Sequence, residues 1–372
     1  MNYQPIPNPL LEALAYLGRR AGGYTEQYMG ERLRRRGVED LTPFYSGIAP
    51  IAQLAGVLDR CAAVPLEQEK YLFTNLAGFP YSPIGTYSPA FLLFYPVLNR
   101  YDGDFSALMD YMRGLSDYHV VRHLMLSLEL RDAPKPDDGG LSGSFMDAVQ
   151  SLDIPSDSKL TLLDCFHRYA FFLERSALCL APVVEALEAR RGELSAICQP
   201  FSRDLEETGP EAYLHQTSSF NPPARSDCCL RPFVFGLDTN LTVEPQPVQG
   251  HSVPILYSGV LRRCLLEQLS QAEDAATAAY EAIKLLGDRT RFDILCFLRD
   301  RTAYGQELSD RFGLARNTIH HHMSKLSNAG LVTCTVDGNR VYYALDRAAV
   351  DRLLLRQRQL LLGDSRSSDH MA

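Results

Sequence analysis

The sequence predicts a mainly α protein, with a large helical N-terminal domain bearing a small β element and a shorter C-terminal domain of helices closed by a β-hairpin. Three observations predict it. Apolar residues recur at three- and four-residue spacing over most of the first 190 positions, the mark of amphipathic helices. Six prolines (Pro222, Pro223, Pro232, Pro245, Pro247 and Pro254) interrupt that pattern around FVFGL and VPILY, two short β-prone runs. From Leu331 to Leu345, two alternating runs flank Asp337-Gly338-Asn339, a turn suited to positive φ.

Taken in order, Pro9 opens an apolar run of Leu10, Leu11, Leu14 and Leu17, and proline is favoured in a first helical turn. A second helix follows from Tyr24, rich in arginine at 32, 34, 35 and 36, and further helical patterns cover about 49–61, 89–99, 103–114 and 116–130. Residues 131–143, RDAPKPDDGGLSG, read as a loop. The longest periodic stretch spans about Ser158 to Arg190, with a kink expected at Pro182 because proline removes a helical hydrogen bond. Helical pattern resumes near 258 and runs through the Ala-rich stretch 272–286. The expected domains are therefore 1–257, mostly helical and serving as sensor or oligomerisation domain; 258–361, the C-terminal domain; and a flexible tail at 362–372.

Composition bounds the function. The 372 residues, 46% hydrophobic and 22% charged, suit two or three globular domains. There is no run of ~18 apolar residues to cross a membrane and no basic segment ahead of an N-terminal apolar core, so neither membrane nor secretion is expected. Nine scattered cysteines, none in a CxxC pair, suit reduced thiols in the cytoplasm. The formal net charge of -8 argues against a nucleic-acid binder only until it is divided: residues 279–361 hold 13 Lys and Arg against 9 Asp and Glu, a net of +4. Residues 1–278 hold 23 against 34, a net of -11, and the tail adds -1. A basic C-terminal unit is joined to an acidic body.

Within that unit, Glu307 to Phe312 predicts a short helix ending at Gly313, which suits a left-handed turn. The next helix runs from about Arg316 to Asn328. Placing Ile319, Met323 and Leu326 inward sends Asn317, His321, Ser324 and Asn328 to the opposite face, flanked by His320 and Lys325, with Arg316 and Thr318 in the first turn. Arginine pairs with guanine, asparagine with adenine, and lysine or threonine with phosphate or base edges, so this face suits a major groove. The hairpin carries Asn339 and Arg340 at its tip. Consecutive histidines 320–322 point 100° apart and do not ligate a metal together; His322 projects toward the core.

The segment from AIKLLGDRTRFDIL through GQELSDRFGLARNTIHHHMSKLSNAGLV to DGNRVYYALDR resembles the winged helix-turn-helix of ArsR-type bacterial transcriptional regulators, over roughly 90 residues and collinear through four elements. The resemblance implies a C-terminal winged helix-turn-helix domain with its recognition helix at 315–328 in the major groove of an operator and its wing at 331–345 on the flanking backbone. It implies a homodimer paired through the helices at 272–286 and 347–361, with a long N-terminal extension, and repression released by an effector. Metal-sensing relatives carry thiols where this chain has Tyr304 and Gln306, and zinc-sensing ones carry histidines that the last helix lacks. The family's capping serine is replaced by Ala315. No cofactor and no metal are expected, and the effector is unidentified.

Other candidates have bland readings. His119 and His123 share a helix face without a third ligand. Cys165 and His167 diverge on a helix, Cys228-Cys229 read as buried thiols with a soft-metalloid or redox site as their alternative, and the aromatic-rich stretch 71–118 reads mainly as core, with an effector pocket as its alternative. No phosphate loop, metalloprotease helix or nucleophile elbow is present, so no enzyme is expected. Two alternatives remain: an N-terminal enzyme carrying a DNA-binding module, or a winged helix that binds protein.

Overall fold

The computed structural model describes residues 2–36, 38, 40–61, 66–80, 82–101, 103–128, 130, 141–217, 228–243, 253–272, 275–337 and 340–362. Of the expected loop at 131–143, residues 131–140 lie outside them, as do the tail beyond 362 and Asn339, whereas 141–143 belong to a helix and not to the loop. The chain forms two compact units, divided between Leu265 and Leu266, with Leu33–Glu39 and Glu211–Ser226 grouped with the C-terminal one.

The first unit begins with β1 (Asn2–Tyr3) and α1 (Pro9–Gly22). Asn8 caps α1 by accepting the N–H groups of Leu10 and Leu11, and Gly23, at φ 73°, closes it in a left-handed turn. After α2 (Glu26–Arg35), α3 (Thr42–Leu58) and α4 (Leu66–Phe73), α5 (Pro89–Phe94) continues as a 3-10 turn over Tyr95–Arg100. Then come α6 (Phe105–Arg113), α7 (Asp117–Ser127) and α8 (Leu141–Ser151). The long periodic stretch is two helices, α9 (Ser156–His167) and α10 (Tyr169–Glu188), and the break falls at Arg168. Arg168 leaves helical geometry at φ -117°, ψ 35°, whereas α10 runs through Pro182, where the kink was expected. α11 (Arg191–Thr208) follows, and then α12 (Pro210–Thr217), which from Glu211 on groups with the C-terminal unit; the sequence pattern predicts neither helix.

The small β element is a four-stranded sheet in the order β1-β2-β4-β3, from β2 (Cys229–Phe233), β3 (Asn240–Val243) and β4 (Ile255–Gly259). FVFGL was expected as a strand, but only Phe233 belongs to one; the rest forms the turn that follows. Pro232 is tolerated in β2 because its missing N–H would face the β1 side, beyond the end of that two-residue strand. α1 fills the middle of this unit: Leu10, Leu11, Ala13 and Leu14 are all buried. Phe73, Phe91 and Phe94 are also buried, so these members of the aromatic stretch are core. α13 (Arg262–Ala272) then carries the chain across the division.

The second unit holds α14 (Ala275–Leu286), α15 (Arg289–Leu298), β5 (Ala303–Tyr304), α16 (Gly305–Phe312), α17 (Arg316–Asn328), β6 (Val332–Asp337), β7 (Arg340–Leu345) and α18 (Arg347–Leu362). Its core joins Ile294, Leu298, Leu308, Ile319, Met323 and Leu326. β6 and β7 pair antiparallel, and β5 adds a third strand beside β7.

Candidate nucleic-acid interface

The turn before α17 is set by Gly313, whose φ of 64° suits a residue without a Cβ. The Ser309 hydroxyl fastens it by donating to the Leu314 carbonyl at 2.6 Å. α17 then starts without a side-chain cap, because Ala315 has the extended geometry of a cap (φ -58°, ψ 146°) but no oxygen to offer. Ile319, Met323 and Leu326 are buried, which fixes the rotation of the helix. That rotation leaves Arg316, His321 and Lys325 exposed and Asn317, Thr318, His320 and Ser324 half-buried along the outer side. The result is a short polar helix face carrying two cations.

His322 turns the other way. Its side chain is only 12% exposed, and its Nδ1 lies 3.8 Å from the Asp288 carboxylate. Burial, together with Arg291 and Lys325, holds its pKa below the usual histidine value against the pull of Asp288. His321 is held low as well, by burial and by the neighbouring Lys325, His322, Arg291 and His320. The described residues contain no cluster of three or more His, Cys, Asp or Glu side chains able to hold a metal ion.

Two residues of the LGDRTR segment do work that the sequence reading left unassigned. Asp288 caps α15 by accepting the Arg291 N–H at 2.9 Å. Arg291, itself buried, donates from Nε to the Leu285 carbonyl at 2.7 Å, which locks the end of α14 against α15. An Asp at a helix start with Arg three residues on was the available signal.

The wing places Arg340 differently from a side chain projecting at a tip. Its guanidinium lies over the Tyr304 ring, 4.4 Å from the centroid, and Tyr304 meets Tyr342 edge to face at 5.6 Å. The Tyr342 hydroxyl, more than Tyr304 or Glu307, pushes the Arg340 pKa further up. Asp337 pairs with Arg340 across the strands, and Asn339 falls outside the described residues. Tyr304 is thus part of an aromatic support for the wing.

The remaining candidates sit in ordinary structural settings. His119 Nδ1 shares a hydrogen bond with the Ser116 hydroxyl at 2.8 Å, and burial pushes the Cys165 thiol up to about 12. Cys228 and Cys229 are both buried, and all nine cysteines are free thiols.

Comparison with known proteins adds relatives to this geometry. A family model for a helix-turn-helix domain matches residues 286–335. The HTH-type transcriptional regulator CmtR of Mycobacterium bovis is 37% identical over 79 residues, 21% of this chain and 67% of its own length. The arsenical resistance operon repressor of Staphylococcus aureus is 33% identical over 19% of this chain and 69% of its own length. The transcriptional activator HlyU of Vibrio cholerae is 28% identical over 23% of this chain and 80% of its own length. Helix-turn-helix, buried Ile319–Met323–Leu326 stripe, paired wing and these relatives converge: through its C-terminal domain, this chain belongs to the ArsR-type family of winged helix-turn-helix transcriptional regulators.

Proposed function

We propose that the protein is a sequence-specific DNA-binding transcriptional repressor that works as a cytoplasmic homodimer, with α17 in the major groove of each operator half-site and the β6–β7 wing against the flanking backbone. The observation that carries this reading is the outer face of α17, where Arg316, His321 and Lys325 are exposed on a helix whose opposite stripe is buried. Asn317, Thr318, His320 and Ser324 complete the set of base and phosphate contacts, and Arg340 with Asn339 supplies the wing's contact to the backbone. The homodimer is supported by large apolar side chains on the packed pair α14 and α18: Tyr280 is 62% exposed, Leu354 51% and Leu355 54%. The N-terminal unit is not an enzyme in this reading but the part that receives a signal.

A gel-shift titration against the DNA upstream of the protein's own gene, over a salt series, tests it. Specific retardation by a twofold complex is expected, weakening as salt rises. No specific retardation at any salt overturns the reading and favours a protein-binding winged helix.

A further inference from the structure

We propose that a cleft of about 450 Å³ between α3, α11 and the start of α13 is the effector site, and that it takes a small lipophilic ammonium compound. The proposal rests on the reading of the protein as an effector-controlled DNA binder and assigns that effector a place and a chemistry. The volume falls in the range of small-molecule sites.

The lining gives the ligand class. Ile197, Val260 and Leu261 make it largely apolar, and Glu193 is the one charged side chain among the lining residues. Among the described residues, the ion pair of Glu193 is a weak one, to Arg190 at 4.0 Å, at the limit for such a contact. Two prolines inside helices leave two carbonyls without their usual helical donors. Pro50 in α3 cannot donate to the Ser46 carbonyl, and Pro200 in α11 cannot donate to the Ala196 carbonyl, four residues back in each case. Ser46, Pro50, Ala196 and Pro200 all line the cleft. A site with a carboxylate, two carbonyls lacking their helical donors and apolar walls calls for an apolar body bearing N–H donors and positive charge.

The location gives the cleft a route to the rest of the chain. Leu261 and Cys264 form its α13 side, and α13 is the helix that crosses the division into the C-terminal unit. Its first turn is tied down on the body. Arg263 reaches Asp204 on α11 and donates to the Thr208 hydroxyl at 3.0 Å, and Arg262 donates to the Asp238 carbonyl. On the α3 side, a Cβ added to Gly47 would come within 2.9 Å of Leu261, so these two elements already touch. A ligand wedged here bears on α13 against α3 and α11, and α13 is the helix through which the chain passes into the C-terminal unit.

The test uses the full-length protein with two probes, 2-(1-naphthyl)ethylamine and its anionic counterpart 1-naphthylacetate. Fluorescence titration should show saturable binding of the amine, about tenfold or more tighter than the acid. Saturating amine should slow alkylation of Cys264 by iodoacetamide, read by peptide mass spectrometry, while exposed Cys296 reacts at an unchanged rate. Glu193→Gln, a change at an exposed position, should weaken amine binding about fivefold and leave the acid no weaker. Ile197→Trp, which fills the cleft, should abolish binding of the amine and its effect on operator retardation. Equal binding of acid and amine, or unprotected Cys264, overturns the site; amine binding with unchanged operator affinity overturns its role as effector site. Absence of operator binding without any probe is a failure of the DNA-binding reading, and titration and Cys264 protection still judge the cleft.

Discussion

Glu12 shows how much one residue depends on its surroundings. It is fully buried, and its two carboxylate oxygens accept the N–H groups of Val234 and Phe235, each at 2.8 Å, so it holds the turn after β2 from inside α1. Burial outweighs those two donors and the charge of Arg231 and pushes its pKa up to about 8. Both oxygens accept in either protonation state, whereas an amide presents N–H to N–H. Glu12→Gln should therefore lower unfolding stability by about 1–3 kcal/mol in urea denaturation; a change under about 0.5 kcal/mol would contradict the assignment. His123 is pushed down to about 4 by burial, then by His119, Arg100 and Arg122. Folded chain then binds fewer protons than unfolded chain between that value and the ordinary 6.5. The associated stability is whole above 6.5 and is lost as pH falls toward 4. The urea midpoint should fall over that window, and His123→Gln should flatten the fall. At the reading face, Arg316→Ala should cost about 1–3 kcal/mol of specific operator affinity by fluorescence anisotropy. Lys or Arg changes within 1–278 should cost far less, and equal losses would move the recognition helix elsewhere.

At the scale of elements, α17 is well placed and weakly started. Its rotation is fixed by three buried side chains, but Ala315 offers its first turn no capping oxygen. Ala315→Ser should add about 1 kcal/mol to the helix start. Hydrogen exchange at Asn317 or Thr318 should slow accordingly, and unchanged exchange would mean that the turn is already satisfied. The wing shows the opposite condition: Tyr304, Tyr342 and Arg340 pack on one another, so the hairpin is supported by a residue outside it. Bounds were legible where chemistry punctuates the chain. Gly313 and the alternation after Leu331 set the C-terminal elements, and the recognition helix runs from Arg316 to Asn328 as its pattern predicts. β1 and β5, two residues each, carry no period to read. The break between α9 and α10 is not legible in the sequence, because the change of backbone geometry at Arg168 carries no proline or glycine signal.

For the whole molecule, charge division is the governing fact. A +4 unit joined to a -11 body should bind DNA through few phosphate contacts, since the body repels the duplex outside the reading face. Each neutralised phosphate contributes about -0.9 to the slope of log affinity against log salt, so roughly three contacts per subunit give a dimer slope near -5. A slope near -10 would mean that the body contributes phosphate contacts of its own.

The sequence by itself determined the helical class, the two-part charge, and the reading head with the polar face of its recognition helix, because each is written in local period, composition or turn chemistry. Only tertiary structure decided which polar groups are buried and what they hold: Glu12 beneath the β2 turn, His322 beside Asp288, Arg340 on Tyr304, and the cleft that α3, α11 and α13 share. The physical reason is that such partners lie far apart in the chain. No local pattern states that a carboxylate at position 12 will meet the backbone of residues 234 and 235, or that prolines 50 and 200 will open onto one space.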